Sequence, residues 1–407
     1  MRWYLLVLVV AGGVSFWLTY LVLKLATRFR LYPEIRDRDV HSRPTPRLGG
    51  VAMFVGVLAA FGIASQVDYF DLVFADSGPI WAILGAALLI VVVGVLDDIF
   101  DLDWMIKLAA QIMAGVILAW QGVQILSLPL GDQRTIGSPL MGLVITILAV
   151  VLTMNAVNFI DGLDGLVAGV SVIANSVFFV YSYLVNGGDL LLGAPLAQAT
   201  ARNDVFSLAS LISITLVGVS AGFLPFNWRP AKIFMGDSGA MLVGLLMATS
   251  ALALTGQVDA ASLGNSQLLP AFIPILLPFA ILVLPFLDFS LAVIRRLRAG
   301  KSPFAADRLH LHHRLLDMGH GHVMSVFIFY AWTAVISGST LLLFVLRPYS
   351  WALLVLGVGI AGCLVLTFWP MMVRGTHRMR ARRRRAKRTT APTPPPTQRP
   401  TAPQEAR

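Results

Sequence analysis

Residues 79–98 read PIWAILGAALLIVVVGVLDD. The first eighteen are apolar or small, and the two that follow are aspartates. A run of roughly 20 apolar residues crosses the hydrocarbon core as an α-helix. Nothing in the stretch alternates with the period of two that a half-buried strand requires. It therefore reads as a membrane helix that ends on acid. Similar runs recur on both sides of it. Apolar spans lie near 3–24, 48–66, 79–96, 105–121, 139–157, 164–185, 206–225, 237–255, 268–294, 322–346 and 350–373. The expected fold is all-α, a polytopic integral membrane protein of about eleven transmembrane helices.

Composition points the same way. Of 407 residues, 57% are hydrophobic and 13% charged, against about 25% charged in soluble domains. So little charge cannot cover a water-facing surface, and lipid must be the main solvent. The single cysteine, Cys363, excludes an intrachain disulfide or a thiolate metal cluster. The N-terminal run begins with Arg2 and shows no small-x-small cleavage site before its basic end, so it reads as the first membrane helix.

Eleven spans put the termini on opposite sides. With the N-terminus outside, only Arg2, Arg134, Arg202 and Arg347 lie in outside segments, and the other 27 of 31 Lys and Arg fall inside. The positive-inside rule then predicts N-out and C-cytoplasmic. This orientation leaves short, bland outside connections at 67–78, 122–138 and 186–205. It gathers the unusual polar clusters in inside connections at 25–47, 97–104, 158–163, 226–236 and 295–321. Residues 1–374 form the expected transmembrane catalytic domain. Residues 375–407, polybasic and then rich in Pro and Thr, form an expected disordered cytoplasmic tail. Such a run directly after a span suits anionic lipid headgroups rather than nucleic acid.

Five clusters carry chemistry. In GVLDDIFDLD, Asp97 and Asp101 share a face if the helix continues, and Asp98 stands beside them. Carboxylates crowded at a membrane boundary are costly unless a cation or a proton-transfer role relieves them. In NAVNFIDGLDGLVAG, Asn158 precedes Asp161 and Asp164, and each Asp is followed by Gly in a turn pattern. In RPAKIFMGDSGAMLVG, Asp237 opens a span, where it can cap the helix or hold Mg²⁺, which favours oxygen ligands. Arg229 and Lys232 are placed to meet phosphate, and Phe234 offers a ring face to a base. In GKSPFAADRLHLHHRLLDMGHGH, histidines three apart are open to zinc, but no thiolate helps and Arg308 and Arg314 flank them, which suits phosphate better. In DRDVHSRPTPRLGG, His41, Arg43 and Arg47 precede the second span. No P-loop or dinucleotide turn is present, since GKS at 300–302 lacks the upstream Gly.

Taken in order, HSRPTPRLGG, LDDIFDLD, NFIDGLDGL, IFMGDSGAMLVG and DRLHLHH resemble the polyprenyl-phosphate N-acetylhexosamine-1-phosphate transferases, over about residues 1–374. The interrupted HLHH, in place of three consecutive histidines, is more similar to the branch using UDP-N-acetylglucosamine than to phospho-N-acetylmuramoyl-pentapeptide transferases. The resemblance implies a plasma-membrane enzyme, active at its cytoplasmic face. It would move N-acetylglucosamine-1-phosphate from UDP-GlcNAc to undecaprenyl or decaprenyl phosphate and release UMP. It implies Mg²⁺, with Mn²⁺ as a substitute, held by Asp237. It implies Asp97 as base for the lipid phosphate with Asp98 as its paired carboxylate. Lys107 would meet phosphates, Asn158 the pyrophosphate or the metal side, Gly162 and Asp164 the uracil, and Phe234 would stack on it. Arg308, His310, His312 and His313 would select the sugar. Asp161 completes the expected catalytic set. A homodimer is also compatible, though no residue argues for one. The alternatives are a pentapeptide-transferase-like enzyme and, from another class, a transporter or lipid flippase.

Overall fold

A computed structural model describes residues 1–29, 45–124, 139–186, 203–255, 283–298, 300, 311–346 and 348–389. These residues contain helices and turns and no strand. The order is α1 (Arg2–Phe29), α2 (Gly49–Ala64), α3 (Asp71–Ala75), α4 (Ser77–Phe100), α5 (Trp104–Trp120), α6 (Pro139–Ile160), α7 (Leu166–Asn186), α8 (Asn203–Asn227), α9 (Gly236–Thr255), α10 (Val283–Arg298), α11 (Leu311–Asp317), α12 (His322–Val345) and α13 (Ser350–Thr389).

Eight of these helices are long and apolar enough to cross a membrane, or nine if α2 and the segment after it count as one bent span. The chain is thus a multi-pass membrane protein. The expected span at 105–121 is α5, a shorter apolar helix of 17 residues. The expected span at 268–294 is described only from Val283 onward, as α10. The connection at 67–78 carries a helical turn at Asp68–Phe70 and then α3, bent 98° from α2. Past the boundary expected at 374, the backbone of α13 continues as helix to Thr389. Residues 390–407 lie outside the described residues.

Close backbone approach builds the bundle. In α8, Gly218 and Gly222 face α1, and a Cβ on Gly222 would strike the backbone of Gly12. Small residues four apart let membrane helices touch where lipid supplies no hydrophobic drive between them. Ser15 Oγ adds a hydrogen bond to the Val219 carbonyl across the same seam, at 2.9 Å. At the centre stands α9, which touches α2, α4, α6, α7 and α8. Its residues from Ala240 to Ser250 are buried almost without break. Large apolar side chains such as Val9, Trp17, Leu88, Leu148 and Val358 point outward from the surrounding helices, as lipid-facing positions should. The N-terminal end of α9 therefore opens in the middle of the bundle, where the polar clusters meet.

Candidate active site

At its C-terminal end α4 closes on its own backbone. The Asp101 N–H returns to the Asp97 carbonyl at 2.9 Å, and Asp101 adopts φ 53°. Aspartate tolerates this left-handed region better than most residues. The helix stops at Phe100, so Asp101 is exposed and does not share a face with Asp97, as it would have done had the helix continued. Three residues later Asp103 caps α5, its carboxylate accepting from the Met105 N–H at 2.8 Å. This turn folds α5 back along α4 and brings Lys107 to Asp97.

Lys107 is the hinge of the cluster. Its Nζ donates to Asp97 Oδ2 at 3.0 Å and to Asp237 Oδ2 at 3.3 Å. Asp97 ends α4, Lys107 begins α5 and Asp237 begins α9, so three helix ends converge. Asp237 also interacts with Asp97 and with Asn158 at the end of α6. Two carboxylates on one ammonium repel unless positive charge lies between them. Lys107 supplies one such charge. Asp97 Oδ1 is buried and has no hydrogen-bond partner among the described residues, so the cluster still holds an unused acceptor.

Asp98, next in sequence, faces elsewhere. Its Oδ1 accepts from the Asp237 N–H at 3.1 Å, and its Oδ2 accepts from the Ser238 N–H at 3.4 Å and the Ser238 hydroxyl at 3.3 Å. These backbone groups belong to the first turn of α9, which has no acceptors of its own. Asp98 thus caps α9 from another helix, with its carboxyl oxygens at the positive end of the helix dipole. Asp237 does not cap α9, because its side chain turns toward Lys107. Gly236, at φ +71°, makes room for this: a Cβ there would collide with the Asp98 carboxylate and the Arg47 carbonyl.

Two further segments frame the cluster. The Phe234 N–H donates to the Pro46 carbonyl, while the Gly49 and Gly50 N–H groups donate to the Phe234 and Met235 carbonyls. The sequence clusters around 41–50 and 229–239 are thereby joined by backbone. On the other side, Asp164 Oδ2 accepts from the Ala231 N–H at 3.1 Å. Buried Asn227 accepts from the Gly165 N–H and donates to the Ile233 carbonyl, each at 3.0 Å. The aspartate–glycine turns at 161–165 are thus stapled to the loop before α9. Leu163, Asp164, Trp228, Arg229 and His322 line a small hollow there, and Phe234 does not reach it. Asp161 and Gly162 lie half-buried in the same turns. Burial, then the charge of Asp237, pushes the Asp161 carboxyl up to about 7, against the opposing pull of Arg47 and with a further push from Asp164.

Of the remaining expected residues, His41, Arg43, Arg308 and His310 lie outside the described residues. His312 and His313 are on the backbone of α11, and their side chains lie outside the description. One residue that sequence reading did not single out sits close by. Arg296 of α10 is 4% exposed and places its guanidinium 5.5 Å from the ring centre of Phe159, the neighbour of Asn158. Its only sequence signal, the run IRRLR at a span end, is also what topology demands. Among the described residues no three His, Cys, Asp or Glu side chains surround one point. What the cluster offers is oxygen: two carboxylates, an amide and an unused lone pair. That set fits a Mg²⁺ ion, which takes one or two carboxylates and completes its shell with water and substrate phosphates.

A decaprenyl-phosphate N-acetylglucosaminephosphotransferase of Mycolicibacterium smegmatis is 37% identical over 371 residues, covering 90% of this chain and 88% of that protein. The enzyme of the same name from Mycobacterium leprae is 39% identical over 333 residues, 80% of each. A probable undecaprenyl-phosphate N-acetylglucosaminyl 1-phosphate transferase of Bacillus subtilis is 32% identical over 317 residues, 77% of each. The chain belongs to glycosyl transferase family 4. The family-4 profile itself matches residues 80–255. That stretch runs from α4 to the end of α9 and contains Asp97, Asp98, Lys107, Asn158, Asp161, Gly162, Asp164, Phe234 and Asp237. The matched stretch therefore holds the helices that meet at Lys107 and ends before the histidine segment.

Proposed function

We propose that this family-4 enzyme transfers N-acetylglucosamine-1-phosphate from UDP-GlcNAc to a polyprenyl phosphate, releasing UMP and forming polyprenyl-diphospho-GlcNAc. The single observation that carries the reading is the Lys107 ammonium held between Asp97 and Asp237 at the convergence of three membrane-helix ends. A charged cluster at that depth is expensive to keep without a function. The site would face the cytoplasm at the plasma membrane, with the N-terminus outside, because this orientation keeps 27 of 31 Lys and Arg inside. The helices seen would then belong to an eleven-span fold, with the partly described segment at 268–294 as one of the spans.

The acceptor phosphate oxygen attacks the phosphorus that bears the sugar, and the bond from that phosphorus to the bridging oxygen of UMP breaks. A phosphate monoester is already largely doubly ionised near neutral pH, its second pKa lying about 6. Asp97 therefore acts mainly by orienting and only secondarily as a base. Lys107 neutralises phosphate oxygens drawn together from two anionic substrates. Asn158 holds the diphosphate side, with Asp161 in the turn beside it. Gly162 and Asp164 meet the uracil, and Phe234 offers it a ring face. Arg308, His310, His312 and His313 meet the sugar and its phosphate. When bound, Mg²⁺ on Asp237 would supply the additional positive charge that the two substrates require.

The test is UMP release in detergent by purified protein given UDP-GlcNAc with and without polyprenyl phosphate. No gradient exists there, so a transporter would release nothing. Acceptor-dependent UMP that stops in excess chelator is the expected result. No release from any of a panel of UDP-sugars would overturn the reading, and continued release in chelator would remove the metal.

A further inference from the structure

One helical turn beneath the cluster, α5 and α9 meet α6. Gln111 lies four residues after Lys107 on α5, Met241 four after Asp237 on α9, and Asn155 three before Asn158 on α6. The Asn155 amide donates to Gln111 Oε1 at 2.6 Å and to the Val151 carbonyl at 2.8 Å. Gln111 in turn points its own amide at the Met241 sulfur, at 3.4 Å. Gln111 is 3% exposed and Met241 1%. A further turn down, the backbones are nearly in contact. A Cβ on Gly115 of α5 would press on Ile147 of α6 at 3.2 Å, and one on Gly244 of α9 would reach Met154 of α6 at 2.7 Å. The close packing brings two short amides within reach of each other in a layer that is otherwise apolar.

We infer that Asn155 and Gln111 form a membrane-embedded register pin, a pair of positioning residues for the reaction chemistry above them. A buried amide without a partner is costly in an apolar medium. Sliding α5 along α6 by one turn, about 5.4 Å, would break the pair and leave the buried Gln111 carbonyl oxygen without its donor. The same slide would carry Lys107 away from Asp97 and Asp237, which it holds at 3.0 and 3.3 Å. A single buried polar pair that fixes register among apolar helices is a well-attested device. Neither amide contacts the acidic cluster, so the pair acts through Lys107 and Asn158.

The inference rests on the active-site reading above, and four variants separate the two. Gln111→Met and Asn155→Leu each leave one amide without its partner. The expected result is a lower Tm and at least a tenfold fall in kcat, with KM for UDP-GlcNAc within threefold. The double variant strands no amide, so Tm recovers while kcat stays low, because the polar pair no longer fixes the register. The swap Asn155→Gln with Gln111→Asn rebuilds the pair and restores kcat. A Gln111→Met enzyme within twofold of wild-type kcat overturns the inference. So does a double variant whose kcat recovers together with Tm, or a folded swap that stays slow. If the double variant does not fold, the single variants and the swap decide. If wild-type protein itself releases no UMP, the functional reading fails, while recovery of Tm in the double variant still reports the pairing.

Discussion

The two ends of α4 carry the same kind of residue in opposite circumstances. At its start, Asp76 caps the helix locally, accepting from the Gly78 N–H at 3.0 Å in an exposed turn. Near its end, Asp98 caps a helix that begins 138 residues later, and does so while buried. Asp76 satisfies its own helix, with water available to take over. Asp98 satisfies a different helix in a place where water is scarce, and the residue it steadies is Asp237. The difference teaches that an aspartate's reach, more than its type, decides whether it is expendable.

The largest effect expected is at the residue which that cap presents. Asp237→Asn removes one of the two carboxylates on Lys107 and the proposed metal ligand, and turnover should fall by at least about 10²–10³. UMP release by folded protein measures it, and near-normal turnover would strip Asp237 of its role. The comparison sharpens at Asp98→Ala. The variant leaves the Asp237 N–H, the Ser238 N–H and the Ser238 hydroxyl without their acceptor, each a buried donor worth roughly 1–3 kcal/mol when orphaned. Displacing the first turn of α9 by even ~1 Å is enough for a loss of about 10²-fold in turnover. Asp98→Asn, which can still accept through its amide oxygen, should keep more activity than Asp98→Ala. Equal losses in the two would mean that Asp98 acts by charge alone and not as a cap.

A weaker effect separates the aspartates through pH. Asp161 holds its proton up to about pH 7 in the folded protein, whereas an unfolded chain releases it near 4. The folded state thus binds more protons between those values. The contribution is fully present below about pH 4 and is lost as pH rises through about 7. Asp161→Asn cannot titrate. The Tm of metal-free wild type relative to this variant should therefore decline from pH 4 to 7 and level off above. Parallel profiles would show that the Asp161 carboxyl is not shifted.

The bundle and its acidic end were legible because their signals are contiguous. Apolar runs announce helices, and adjacent aspartates at a run's end announce a polar boundary. The turn chemistry of Asp161 and Asp164 was legible for the same reason, each residue being followed by glycine. What escaped reading depends on partners far along the chain. Nothing in LDDIF says that Asp97 faces Lys107 while Asp98 faces α9. Asp101 looked like a helix neighbour of Asp97 until the left-handed cap turned it aside. Gln111 and Asn155 disappear into apolar spans, because one amide in such a run has no visible partner. Arg296 was hidden by an equally good topological reason for its charge.

The smallest effect tests the other end of the comparison. Asp76→Ala removes one N-cap hydrogen bond from α4, a change of about 1 kcal/mol, or about 2–4 °C in Tm for a domain of 150–250 residues and less in a longer chain. The cap lies at the far end of a long helix from Lys107, and the remaining turns of α4 are held by packing against α9 and α5. Its loss should fray the first turn without moving Asp97. Turnover should stay within twofold, measured beside Asp98→Ala in the same preparation. A loss of turnover approaching that of Asp98→Ala would mean that α4 transmits displacement along its whole length. The distinction between a local and a distant cap would then fail.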